Sequence, residues 1–196
     1  MKKSWIIIII LVVVGLIFFS SIRGTYNNLV DMEESISEKW SQVENVYQRR
    51  ADLIPNLVNT VKGYAEHEQQ TFTQVTEARS RATSVNIDPS NLNANSLQQF
   101  QQAQEGLSQA LSRLLLVVER YPELKANQNF LELQAQLEGT ENRITVERQK
   151  FNQAVKEYNA YVRKFPQTIW ASIFGFERKA YFEAQEGAEK APEVNF

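Results

Sequence analysis

The chain has 196 residues, 21 Lys and Arg against 23 Asp and Glu, a formal net charge of −2, one histidine and no cysteine. Near-balanced charge argues against a general nucleic-acid binder, and the missing cysteine excludes a disulfide framework, thiol catalysis and a cysteine-linked lipid anchor. With only seven Gly and five Pro there are few breaks, so long helices are expected.

Residues 5–19, from Trp5 to Phe19, carry no charge. If Ser20, Ser21 and Ile22 continue the helix, it reaches about 18 residues or roughly 27 Å, which just spans a bilayer. A cleaved secretory signal is the competing reading, since Lys2 and Lys3 form a positive n-region. However, Phe18, Phe19, Ile22 and Arg23 crowd the place where a small-x-small cleavage site should lie. Residues 1–24 are therefore read as a retained transmembrane anchor. Lys2 and Lys3 on one side against Arg23 on the other favour a cytoplasmic N-terminus and an extracytoplasmic body.

The next seam runs through Tyr26, Leu29, Glu33, Ile36, Trp40, Val43, Tyr47, Arg50, Ile54, Leu57, Val61, Tyr64, Glu68, Thr71, Val75 and Ala78 in steps of three and four. Its phase passes through Pro55 without a slip. That continuity predicts one very long helix kinked at Pro55; the alternative is a true break there, with Asp52 as N-cap and Pro55 in the first turn of a new helix. Residues 86–95 are rich in turn formers and form a connector.

The second seam is Leu97, Phe100, Gln104, Leu107, Leu111, Leu114, Val118 and Tyr121, with a capping-box start at Ser96 and Gln99 and an end at Pro122. After a short joint the rhythm returns as Phe130, Leu133, Leu137, Thr140, Ile144, Glu147, Phe151, Ala154, Tyr158, Tyr161 and Phe165, closed by Pro166. A joint this short makes the two helices antiparallel neighbours. The fold expected is all-α: the anchor, then an antiparallel up-and-down bundle over residues 25–166, of four helices or of three with the first kinked. Residues 167–196 hold Ile169, Trp170, Ile173, Phe174, Phe176, Tyr181 and Phe182, too many apolar residues for a free tail. They either fold back over the bundle as a short helix or form a docking surface for the membrane interface or a partner.

Catalytic constellations are mostly absent. His67 lacks the second histidine one turn on that a zinc protease requires, and the glycines occur singly, so no phosphate-cradling loop forms. Carboxylate pairs such as Glu33 and Glu34 have the chemistry to bind a hard cation or transfer protons, but solvated helix faces and i, i+4 ion pairs account for most of them. The densest mixture of charge and apolar surface is Tyr47-Gln-Arg-Arg-Ala-Asp-Leu-Ile-Pro-Asn-Leu-Val58. Arg50 falls on the seam and needs a partner if buried. Arg49, Arg50, Asp52 and Asn56 either satisfy backbone groups released near Pro55 or form an anion or partner site.

These segments resemble the LemA family of bacterial membrane-anchored proteins. The resemblance rests on Tyr26-Asn-Asn-Leu-Val30, Trp40-Ser-Gln-Val-Glu44, the Tyr47 to Val58 segment, Tyr121-Pro-Glu-Leu-Lys-Ala-Asn127, Thr140-Glu-Asn-Arg-Ile144, Tyr158-Asn159, Phe165-Pro166 and Pro192-Glu-Val-Asn-Phe196. It implies a four-helical antiparallel bundle, which weighs toward a break at Pro55. It implies no catalytic residues and no cofactor. It also implies company with HtpX-type membrane proteases or TPM-domain proteins, and for some relatives an N-terminus outside, opposite to the charge reading.

The function expected is a non-enzymatic, membrane-anchored scaffold or adaptor that organises copies of itself or membrane partners. Its structural or partner motif would include Trp40, Arg49, Arg50, Asp52, Pro55, Asn56, Trp170 and Phe174. A ligand- or ion-responsive sensor built on Arg50, Glu33, Glu68 and Glu147 is the alternative.

Overall fold

A computed structural model describes residues 3–89 and 92–183; the closing Pro192-Glu-Val-Asn-Phe196 motif lies outside them. The described residues form α1 (Lys3–Lys62), α2 (Gln69–Ser84), α3 (Ala94–Val118), α4 (Pro122–Lys125), α5 (Gln128–Arg163) and α6 (Gln167–Phe174), with no strand among them. Helix α1 has 60 residues, about 90 Å at 1.5 Å per residue. Its first part stands clear of the rest, and residues 5–19 are exposed on every side.

The bundle proper is α1 from about Thr25 onward with α2, α3 and α5. Helix α1 pairs antiparallel with α5, since Asn28 meets Tyr161, Glu33 meets Tyr158 and Arg50 meets Glu141. Helix α2 packs against α3 and against the distal part of α1. The all-helical bundle expected from the seams is therefore present, and four helices build it.

The helix runs through Pro55, as the unbroken seam predicts, and the break that makes four helices of the seams comes farther on: α1 ends at Lys62, seven residues after Pro55. Residues 63–68 form the turn, beginning at Gly63, whose helix propensity is about 1 kcal/mol below that of alanine. Beyond Lys62 a straight α1 would carry Phe72, Val75, Ala78 and Ala82 past the end of α5 with nothing to bury them. Folded back, all four are buried and α2 lies along α3. The seam keeps its phase across this turn because α1 and α2 face one shared core. The turn does exchange members: Tyr64 is exposed, whereas Ala65 and Phe72 are buried in place of Tyr64 and Thr71.

Every residue of the second seam from Leu97 to Val118 is buried, Gln104 included. The start of α3 is one turn earlier than expected: Asn93 is the N-cap, with its Oδ1 accepting from the Ser96 N–H at 2.9 Å. Asn127 caps α5 in the same way, accepting from Phe130 N–H at 3.0 Å. The third seam holds as far as Tyr158, but Phe165 lies beyond the helix and is 80% exposed, while Val155 and Val162 are buried.

The core is in two parts. Nearer the apolar segment 5–19, Leu29, Ile36, Trp40 and Val43 meet Phe100, Ile144, Phe151, Val155 and Tyr158. Farther away, Ile54, Leu57 and Val61 meet Phe72, Val75, Leu107, Leu114, Leu124 and Phe130. Between them sits a polar layer of Arg50, Gln104 and Thr140.

After α6 the chain turns at Gly175, whose φ of 78° lies in the left-handed region that glycine enters without steric cost. Residues 176–183 are not helical; they run as a strap back over the bundle. Two asparagines on α5, two turns apart, hold it. Asn159 donates to Lys179 O and accepts from Lys179 N–H, both at 2.9 Å. Asn152 donates to Phe182 O at 3.0 Å and accepts from Phe182 N–H at 2.9 Å. The Phe182 ring is thereby set into the core, stacked on Trp40 at 5.9 Å and edge-on to Phe151 at 5.3 Å. Of the segment 167–196, the described part holds the short helix α6 and then this strap, which the sequence did not suggest; residues 184–196 lie outside the described residues.

Candidate functional site

Arg50 is 3% exposed, the one cation among the buried polar residues described. Heptad-like spacing forces it inward, because Tyr47 and Ile54 on either side face the core. Its Nη1 donates to Ser108 Oγ at 3.0 Å and Glu141 Oε2 at 3.1 Å; its Nη2 donates to Gln104 Oε1 at 2.6 Å and Gln104 O at 3.3 Å. The Gln104 amide in turn donates to Ala82 O at 3.1 Å. One guanidinium thus ties α1, α3 and α5 together, and Gln104 extends the tie to α2. Arg50 Nε is buried without a partner.

The Arg50 guanidinium also lies 5.0 Å from the centre of the Tyr47 ring. Burial raises the Tyr47 hydroxyl above its ordinary value, while Arg148 and Arg50 pull the other way. Beside this layer lies a cavity of about 280 Å³ lined by Tyr47, Arg50, Gln98, Gln101, Glu141 and Arg148. It mixes both signs of charge. Ser108 Oγ accepts from Arg50 and donates to Gln104 O at 3.2 Å, so no base is placed to take its proton.

The other residues of the Pro55 segment do not join this layer. Arg49, Asp52, Pro55 and Asn56 are exposed. Proline at 55 leaves the carbonyl of Ala51, four residues earlier, without its helical donor. The group that satisfies it comes from α2: Arg79 Nε donates to Ala51 O at 2.7 Å, and Arg79 Nη2 stands 4.0 Å from Asp52 Oδ1. Arg49, Arg50 and Asn56, expected as possible partners for backbone freed near Pro55, are not what caps it. The proline instead opens a carbonyl that docks α2 onto α1.

The seam carboxylates are separated and internally paired. Glu33 meets Lys179 at 2.9 Å, Glu68 meets Arg120 at 2.8 Å, and Glu147 meets Lys150 at 2.8 Å. Glu33 also accepts from Tyr158 Oη at 3.2 Å, and burial together with the Glu33 charge raises the Tyr158 hydroxyl well above the usual tyrosine range. Among the described residues no group of three His, Cys, Asp or Glu is placed to hold a metal ion.

Trp40 lies at the centre of the near core, with Phe100 at 5.2 Å and Phe151 at 5.6 Å in edge contact. Its indole N–H has no full hydrogen bond. Glu44, one turn on, feels that N–H, but burial outweighs it and raises the Glu44 carboxyl above its ordinary value. Trp170 and Phe174 are far from the polar layer, beside the end of the exposed apolar run of α1. Trp170 meets Phe18 edge-on at 5.3 Å, and Phe174 meets Tyr26 at 5.1 Å. Sequence reasoning placed Arg50 and Gln104 on the seam and singled out Asn159 only as part of a family motif with no role assigned; it missed Arg79 and Asn152, which look like ordinary helix-surface residues.

The sequence matches the LemA family over residues 39–196. It is similar to the magnetosome protein MamQ 2 of Paramagnetospirillum magneticum, 27% identical over 191 residues that cover 88% of this chain and 70% of the relative. The magnetosome protein MamQ of Magnetospirillum gryphiswaldense gives the same identity and coverage. Protein LemA of Metamycoplasma hominis is 21% identical over 185 residues, 94% of this chain and 80% of the relative. The family match begins one residue before Trp40 and takes in the aromatic core, the polar layer, the Pro55 contact and the asparagines that hold the strap, and the chain belongs to the LemA family.

Proposed function

We propose that this LemA-family chain is a single-pass membrane protein that acts as a scaffold or adaptor and catalyses no reaction of its own. The observation that carries this reading is that α1 is both anchor and core: the helix that begins with the uncovered apolar residues 5–19 is the one whose Leu29, Trp40, Arg50 and Leu57 build the bundle. Fifteen consecutive exposed apolar residues are a membrane segment in waiting, since no other part of the described chain covers them. With no hinge between anchor and bundle, the body is held at a fixed attitude to the bilayer, which suits the display of binding surfaces to membrane neighbours. Lys2 and Lys3 favour a cytoplasmic N-terminus with the bundle outside.

The partners proposed are further copies of the chain or a membrane protein, with an HtpX-type protease or a TPM-domain protein as the kinds the family resemblance suggests. Crosslinking in native membranes tests this. Dimers, larger species or a membrane-protein adduct are expected, and a chain recovered solely as an uncrosslinked monomer at its natural level would refute the scaffold. Recovery in the soluble fraction after cell lysis would refute the anchor.

The unpartnered Arg50 Nε beside a cavity favours a second reading, a sensor of small anions. Ligand that binds only the folded state raises its stability by mass action. A rise in melting temperature with small anions that Arg50→Met abolishes would support the sensor, and a flat response would remove it.

A further inference from the structure

We infer that α6 and the residues just before it form a collar that lies in the headgroup region of the bilayer, giving the bundle a second contact with lipid beside the anchor. This rests on the reading of residues 5–19 as a membrane span.

The depth is set by ring contacts within the chain. Phe18 is in the last turn of the apolar run, and Trp170 lies against it at 5.3 Å; one helical turn later Phe174 lies against Tyr26, and Phe176 reaches the same ring at 5.8 Å. Helix α6 is therefore level with the stretch of α1 between residues 18 and 26, where a helix entering the body leaves the hydrocarbon. Tryptophan and tyrosine concentrate at that level in membrane proteins, apolar body in the acyl boundary and polar tip among the headgroups.

The exposure pattern agrees with lipid as the cover. Ala171 is buried, so one side of α6 is docked on the bundle. The opposite side presents Ile169 at 46% and Ile173 at 64% exposure, and Phe165 just before the helix is 80% exposed. The Trp170–Phe18 contact joins this face of α6 to the exposed apolar run of α1. Charge supports a phospholipid surface over a protein partner of mixed charge. No acidic residue occurs between Arg163 and Phe176, while Arg23, Arg163 and Lys164 are exposed cations at the rim, able to reach headgroup phosphates.

The chain has no cysteine, which makes a direct test possible. Single cysteines at three comparably exposed sites, Leu11→Cys at 66%, Ile173→Cys at 64% and Leu116→Cys at 70%, are labelled with an environment-sensitive fluorophore in the full chain. Each variant is placed as a single copy in a lipid nanodisc of phosphatidylcholine and phosphatidylglycerol. Its emission is quenched either by nitroxide-bearing lipid or by aqueous iodide, and circular dichroism confirms that the fold is kept. The label at position 173 should be quenched by nitroxide lipid several-fold more than the label at 116, and by iodide several-fold less. Equal behaviour at 173 and 116 overturns the collar. Protection from iodide at 173 without quenching by lipid also overturns it, because protein would then be the cover. If the label at 11 is itself untouched by lipid nitroxide, the membrane span fails and the collar with it; quenching at 11 but not at 173 defeats the collar alone.

Discussion

Arg79→Ala should weaken the bundle through a backbone group that belongs to another helix. Arg79 Nε donates to Ala51 O at 2.7 Å, the carbonyl that Pro55 deprives of its helical donor. Leaving a buried acceptor unsatisfied costs about 1–3 kcal/mol. The Arg79 side chain is 34% exposed, so water can partly replace it and the low end, about 1 kcal/mol, applies. The 4.0 Å contact with Asp52 adds little at such exposure. In a Pro55→Ala background the residue at 55 regains an N–H that can reach Ala51 O, and the arginine becomes dispensable. A double-mutant cycle should therefore show coupling of about 1 kcal/mol, or roughly 2–4 °C in melting temperature for a domain of this size. Urea unfolding of the four proteins in a mild detergent, followed by far-UV circular dichroism, reads it. Single effects that add to within about 0.3 kcal/mol would refute the account of how Pro55 is accommodated.

Arg50→Ala removes the donor to Gln104 and Ser108 and opens a cavity; because Glu141 is 57% exposed and keeps its hydration, the expected loss is at the low end for a buried pair, about 3 kcal/mol. Arg50→Met combined with Gln104→Leu should recover most of that in a chemical-denaturation measurement, since an apolar layer needs no partners. Asn159→Ala, and separately Asn152→Ala, should free the strap without unfolding the bundle: proteolysis within residues 176–183 accelerates, and for Asn152→Ala the Trp40 emission shifts to the red as Phe182 leaves its ring. Burial raises the Glu44 carboxyl in the folded state, so folding favours the protonated form; this contribution is full below the unfolded carboxyl's ordinary value and is lost as pH rises through the raised one. Melting temperatures between mildly acidic and neutral pH should accordingly fall less for Glu44→Gln than for the natural chain, and an unchanged slope would refute the assignment.

What could be read from the residues follows what each position's periodicity carries. Positions 97 to 118 step by three and four with no proline or glycine on the seam, so the buried face of α3 was legible down to its single glutamine. Arg50 was legible as a seam cation by the same spacing, and its need for partners was plain, though their identity was not. The turn at residues 63–68 was hidden because α1 and α2 share one core, which preserves the phase that a break ordinarily resets. Pro55 drew attention away from it as the stronger local signal, yet a proline on the exposed face of a helix needs only one acceptor satisfied. Arg79 and Asn152, and the role of Asn159, were invisible for a different reason. Their partners are backbone atoms distant in sequence, and no periodicity encodes a side chain that reaches across to a neighbouring main chain.

Because α1 runs without interruption from the uncovered segment into the core, the proposed membrane span would set the azimuth of the whole body about the membrane normal by a count of residues. Each residue of an α-helix turns about 100° and advances about 1.5 Å. Evolution can therefore swing a different flank of the bundle toward a neighbour in the same bilayer by a single insertion between Phe19 and Thr25, with the interior left untouched. Such a change would also carry Phe18 away from Trp170, while Tyr26 keeps Phe174, so the Phe18 contact alone registers the change.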